Sequence, residues 1–273
     1  MIVAGCDVGS ATGKALIMRD GAIDSFSIIP STTRPERTAQ MAVDEALSKA
    51  GLASLEELDY VVGTGYGRVR IPFANENISE ITCHARGAFW LVPTIRTVID
   101  IGGQDCKVTS IGEGAKVLDF VMNDKCAAGT GRFLEAMART LGIELQELSE
   151  LSLQSQNPAT ITAQCSVFAE SEVITLLNSG AEVVDVAAGI HMSIAGRVNS
   201  LARRAGIMED VTVTGGCAKN KGLIAMLEER LGVGIKALPE DPQVVGALGA
   251  AVLAKDRLAS GGGEAPDPGR PGA

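Results

Sequence analysis

The chain has 273 residues, of which 46% are hydrophobic, enough for one large or two medium globular cores. With one Trp, two Tyr and six Phe, it lacks the aromatic platforms on which single-stranded nucleic acids stack. A net charge of −9 and a sequence pI near 4.9 argue against polyanionic duplexes and membrane surfaces as partners, so any phosphate it binds must be gripped locally.

The sequence opens on Met1-Ile2-Val3-Ala4-Gly5-Cys6 without the basic and apolar regions of a signal peptide, which predicts a cytoplasmic protein. In a reducing compartment the six cysteines read as buried thiols, metal ligands or redox groups rather than as disulfides. No apolar run reaches the roughly 18 residues of a membrane span.

A short apolar strand ends at Asp7, and Gly9, Ser10 and Thr12 form a turn before Lys14 starts the returning strand. A helical pattern over residues 35–50, a strand over 60–65 and a helical stretch over 84–90 follow. The first pattern then recurs: Val98-Ile99-Asp100-Ile101-Gly102-Gly103-Gln104-Asp105-Cys106-Lys107 has Gly two residues and Lys seven residues after its Asp, as Asp7, Gly9 and Lys14 do. The second half is richer in helices, predicted over 131–141, 166–178 and 183–205. It closes with a strand over 211–214, the turn Thr214-Gly215-Gly216-Cys217-Ala218-Lys219-Asn220, and a small-residue helix opened by Pro242 and Gln243. These elements predict a first domain over 1–95, joined by a C-terminal helix over 243–258, and a second over 96–242. The Gly/Pro-rich stretch 259–273 is predicted to be a disordered tail.

Cys126 lies in Asn123-Asp124-Lys125-Cys126-Ala127-Ala128-Gly129-Thr130-Gly131, and Cys165 lies in Ala163-Gln164-Cys165-Ser166-Val167-Phe168. Each precedes a helical pattern, where exposed N–H groups and the positive end of the dipole favour a thiolate. Spacing alone reads as two free thiols. Two cysteines are also half of the set that a cubane iron-sulfur cluster takes, which suggests a cluster shared across a symmetric dimer. Cys6 and Cys106 read as small buried residues, and Cys83 and Cys217 as structural. His84 and His191 lack a partner at metal-site spacing and read as core or surface histidines. Arg203-Arg204 at a helix end reads as a favourable dipole interaction.

Three Gly-rich turns, 7–14, 100–107 and 214–220, can bring backbone N–H groups close to phosphate oxygens. Asp7 and Asp100 are then expected to hold Mg2+, mostly through water, with Ser10 and Lys14 donating to phosphate. Singly, each Asp-x-Gly turn reads as a plain hairpin. Jointly they resemble the acetate kinase, sugar kinase, Hsp70 and actin superfamily, an α/β fold of two ribonuclease H-like domains with an interdomain nucleotide cleft. No Gly-x-x-x-x-Gly-Lys-Ser/Thr loop is present, which sets aside a P-loop NTPase.

Within that superfamily, the segment from Asn123 to Glu135, with Asp100-Ile101-Gly102-Gly103-Gln104-Asp105 and Cys165 followed by Phe168-Ala169-Glu170-Ser171-Glu172, resembles the BadF/BadG/BcrA/BcrD ATPase family, in particular the activator ATPases of 2-hydroxyacyl-CoA dehydratases. The related ATPase subunits of benzoyl-CoA reductases share the signature, and the resemblance runs from about Ile2 to Leu253. It implies a homodimer in which Cys126 and Cys165 of each copy hold one 4Fe-4S cluster. Such a protein takes an electron from ferredoxin or flavodoxin and, at the expense of ATP, passes it to a partner dehydratase or related iron-sulfur reductase.

Nucleotide contacts are expected from Asp7, Gly9, Ser10, Thr12, Lys14, Asp100, Gly102, Gly103, Lys107, Gly129, Gly131, Gly215, Gly216, Lys219, Asn220 and Gln243. Gln104 and Asp105 are expected to orient the hydrolytic water. Gly129 and Gly131 either touch the nucleotide or let a helix approach the cluster. The rival reading is a cluster-free small-molecule kinase of the same superfamily with Asp105 as base, although the short first domain leaves little room for a sugar-binding insertion. Service to a double-cubane reductase is a further alternative.

Overall fold

The computed structural model describes residues 1–125, 127–162 and 165–260. The chain forms two compact units, one of Met1–Leu91 with the segment from Val244 onward, the other of Val92–Gln243. In the first, β1 (Ile2–Val8), β2 (Thr12–Arg19), β3 (Ala22–Pro30), β4 (Tyr60–Thr64) and β5 (Glu76–Asn77) form a sheet in the order β3-β2-β1-β4-β5. β2 runs antiparallel to both β1 and β3, whereas β4 runs parallel to β1. β1 and β2 are almost wholly buried, so they read as continuous apolar runs rather than alternating ones.

α1 (Pro35–Ala50) has Pro at its start and Gly51 in the left-handed region at its end, the asymmetry that makes its bounds legible. α2 (Glu80–Leu91) begins earlier than the expected 84–90.

In the second unit, β6 (Thr97–Ile101), β7 (Cys106–Ile111), β8 (Val117–Asn123) and β9 (Val211–Thr214) take the order β8-β7-β6-β9, with β9 parallel to β6. This repeats the β3-β2-β1-β4 arrangement of the first unit. The helices are α3 (Gly131–Leu141), α4 (Leu145–Ser152), α5 (Ser166–Asn178), α6 (Val183–Ala205) and α7 (Lys221–Leu231). One core joins Ile99, Ile101 and Val108 of the sheet to Phe133, Leu134 and Met137 of α3 and to Val186, Ile190 and Ile194 of α6.

The chain returns to the first unit in α8 (Val245–Ala259). Its expected start at Gln243 is corrected: the Pro242 carbonyl accepts from Gly215 N at 3.0 Å and Gln243 N donates to Asp241 Oδ1 at 2.9 Å, so both residues belong to a turn. The small residues of α8 allow backbone-to-backbone packing. A methyl group on Gly249 would come within 1.7 Å of the Cys83 carbonyl oxygen on α2. The predicted tail lies outside the described residues except for Ala259 and Ser260, of which Ala259 is helical. Among the described residues, no helix is long and apolar enough to cross a membrane.

Candidate nucleotide and cluster site

Strand register builds the same triplet twice. On β1, Asp7 faces Lys14 across the antiparallel pair and Thr64 across the parallel pair. On β6, Asp100 faces Lys107 and Thr214 in the same way. Lys14 Nζ donates to Asp7 Oδ2 at 3.2 Å and to the Thr12 carbonyl at 3.3 Å, while Gly9 N closes the turn on that carbonyl at 3.0 Å. Ser31 Oγ holds the Gly9 carbonyl at 2.8 Å. Ser10 is partly exposed at the tip of this turn.

In the second turn Thr214 Oγ1 donates to Asp100 Oδ1 at 3.1 Å, and Lys107 Nζ reaches Asp100 Oδ2 at 3.5 Å and Asp105 Oδ2 at 2.8 Å. The Lys107 side chain is 4% exposed, so its charge is held almost dry and is balanced by two carboxylates. Gly102 N donates to the Asp105 carbonyl at 2.9 Å, and Gln104 projects into solvent at the tip.

Gly131 is tied to this second turn. Gly131 N donates to the Gly102 carbonyl at 2.9 Å, and Arg132 N donates to the Gly103 carbonyl at 3.0 Å. The first N–H groups of α3 are therefore spent on the turn. The helix itself begins at Gly131. Gly131 also faces the third turn, because a methyl group there would lie 3.5 Å from Cys217 Sγ.

The third turn spans Gly215 to Asn220. Gly215 takes φ +84, and a methyl group on it would strike the Ile101 carbonyl at 2.5 Å and Asp100 Oδ1 at 3.0 Å, so the turn leans on the second aspartate. Lys219 Nζ donates to Gln243 Oε1 at 2.7 Å and to Asp241 Oδ2 at 2.5 Å, while Asn220 Oδ1 caps α7 by accepting from Leu223 N at 2.9 Å. Gln243 also lies beside Gly216.

Cys126 lies outside the described residues. Cys165 is exposed as the N-cap residue of α5, and its side chain makes no capping hydrogen bond. The exposed Val167 and Phe168 follow it. Glu172 steadies the approach to it by accepting from Thr162 N, at 3.0 Å from each carboxylate oxygen, and from Thr162 Oγ1 at 2.9 Å. An accessible sulfur that makes no capping hydrogen bond fits a cluster ligand. Burial pushes the Cys83 and Cys217 thiols up to about 12, and raises Cys6 and Cys106 as well, so these four are protonated apolar fillers.

The residue-level reading missed Thr64, Thr214 and His84 beside the aspartates. The two threonines stand out only once the parallel pairing of β1 with β4 and of β6 with β9 is known. His84 carries no sequence signal at all.

The profile of the BadF/BadG/BcrA/BcrD ATPase family matches residues 4–254. Over 260 residues the chain is 44% identical to the 2-hydroxyisocaproyl-CoA dehydratase activator of Clostridioides difficile, covering 94% of this chain and 96% of that one. It is 45% identical over 260 residues to the (R)-2-hydroxyglutaryl-CoA dehydratase activating ATPase of Acidaminococcus fermentans, covering 93% and 97%. The solved structure of the Clostridium difficile activator with bound ADPNP superimposes with a TM-score of 0.90 at 42% identity, covering 96% of this chain and 97% of that one. The expected α/β fold of two ribonuclease H-like units is borne out.

Proposed function

The chain belongs to the BadF/BadG/BcrA/BcrD ATPase family, and on that premise we propose that it is an ATP-hydrolysing activator delivering a low-potential electron to a partner enzyme. The partner is a 2-hydroxyacyl-CoA dehydratase or a benzoyl-CoA reductase-like protein, and the donor is ferredoxin or flavodoxin. Asp7 and Asp100 hold the hydrated Mg2+ of the nucleotide, Lys14 and Lys107 balance phosphate charge, and the turns offer phosphate oxygens the N–H groups beyond Gly9 and Gly102, whose own N–H groups are spent on the Thr12 and Asp105 carbonyls. Gly215, Gly216, Lys219, Asn220 and Gln243 surround the adenosine. Gln104, at the open tip beyond Asp100, orients the attacking water with Asp105.

Cys126 and Cys165 of two copies hold the 4Fe-4S cluster, which supplies one-electron chemistry when bound. The observation that carries this reading is the pair of hydrogen bonds from Gly131 N and Arg132 N to the Gly102 and Gly103 carbonyls. They join the second phosphate turn to the helix that follows the Cys126 segment. A shift of that turn on nucleotide exchange moves α3, and with it the exposure and hydrogen bonding of the sulfur ligands that tune a cluster.

The test of the ATPase is phosphate release with water as the only acceptor. The wild-type protein is expected to hydrolyse ATP, and Gln104→Ala to bind ATP while losing about 100-fold or more of turnover. Unchanged turnover in Gln104→Ala removes that residue's role. Release that depends on an added metabolite selects a kinase instead.

A further inference from the structure

The first aspartate has a buried neighbour that the nucleotide chemistry above leaves unused. α2 and α8 pack so closely that a methyl group on Gly246 would lie 2.7 Å from His84 Nε2 and 2.9 Å from Asp7 Oδ2. The ring edge and the carboxylate oxygen therefore share one small space, kept open by a glycine in the first turn of α8. His84 is 7% exposed and Asp7 4% exposed, so water competes little for either. The other flank of the carboxylate is closed by Gly65, which takes φ +88 and where a methyl group would come within 2.3 Å of Asp7 Oδ1. The charged groups nearby are Lys14, bonded to Oδ2, and the Arg68–Glu80 pair at 2.9 Å, with Glu80 one helical turn before His84 on α2.

A carboxylate that holds hydrated Mg2+ must keep its lone pairs aimed while its surroundings change. Lys14 serves Asp7 at present, but once nucleotide binds, the same ammonium has phosphate oxygens to neutralise. Oδ2 then needs a donor that does not leave. An imidazole fixed on a helix is suited to that task, because carboxylates that hold a metal are themselves oriented by hydrogen bonds from behind.

We propose that His84 is a positioning residue for Asp7, its Nε2–H holding Oδ2, directly or through one water, when Mg2+-nucleotide is bound. Gly246 is needed because any side chain there would part the two groups. This inference rests on the ATPase reading.

The chain has two histidines, so the imidazole 15N spectrum of the holoprotein holds two sets of signals, assigned with His191→Gln. Adding Mg2+ to the ADP complex is expected to move the His84 signals beyond any change produced by ADP alone. His84→Leu is expected to raise the Mg2+ concentration for half-maximal ATP hydrolysis about tenfold or more, and His84→Gln, which keeps a donor, to stay within about threefold of wild type. His84 signals indifferent to Mg2+ overturn the inference even if His84→Leu does not fold. So does a folded His84→Leu with wild-type Mg2+ dependence, or His84→Gln as impaired as His84→Leu. Calorimetry separates the two levels: absence of any nucleotide binding defeats the ATPase reading itself and the role of His84 with it.

Discussion

Lys107 places a positive charge between Asp100 and Asp105 with almost no access to water. Removing one partner from such a group strands the others, so Lys107→Met is expected to lower the unfolding free energy by about 3 kcal/mol or more. Denaturant titration checks this, and a loss below about 1 kcal/mol, the worth of a surface pair, contradicts it. His191 adds a pH dependence. It is wholly buried and donates Nδ1–H to the Ala187 carbonyl at 2.9 Å, and burial holds its pKa below the ordinary 6.5. The unfolded chain then binds the extra proton, so this contribution to stability is complete above pH 6.5 and is lost as pH falls below it. His191→Leu is expected to flatten that part of the stability profile; an unaltered slope would assign it to other groups. At this scale the sequence was legible where chemistry is local. Asp, Gly and Lys of each Asp-x-Gly turn lie within a few residues of one another and announced themselves. Thr64 and Thr214 stand opposite the aspartates on parallel strands distant in sequence, and His84 lies near Asp7 where α2 packs on α8, so no local pattern marks them.

Helix bounds followed the same logic at the level of elements. α1 and α3 end at Gly51 and Gly142 in the left-handed region, a stop that local sequence announces. The start of α8 did not, because Pro242 suits a helix opening by its dihedral but has its carbonyl engaged by Gly215. β8 falls outside the predicted elements although Leu118, Phe120 and Met122 recur at every second position; these three are exposed, whereas its neighbour β7 is buried throughout while carrying Lys107, Thr109 and Ser110. The contact of α8 with α2 carries its own prediction. Gly249→Ala drives a methyl group into the Cys83 carbonyl, an overpacking expected to cost about 2 kcal/mol, read as a lowered denaturation midpoint. A neutral or stabilising Gly249→Ala would mean that the two helices separate at little cost.

For the whole molecule, the repeated Asp-Lys-Thr triplet and repeated strand order describe two related units that have diverged in what they carry. The second unit holds α3 and α5, which follow the two candidate cluster cysteines, while the first contributes the turn between Asp7 and Lys14 and the α2–α8 pair behind it. What joins ATP to electron transfer, on this account, is a sulfur-ligated cluster beside a helix bonded to a phosphate turn. The measurement that tests it most directly is iron and sulfide per chain, with the visible spectrum, for protein purified without oxygen, wild type beside Cys165→Ser. About two irons per chain are expected, as one cubane shared by two copies gives, and their loss in the variant with ATP binding kept. Well-folded, ATP-binding wild-type protein that carries no iron would contradict it.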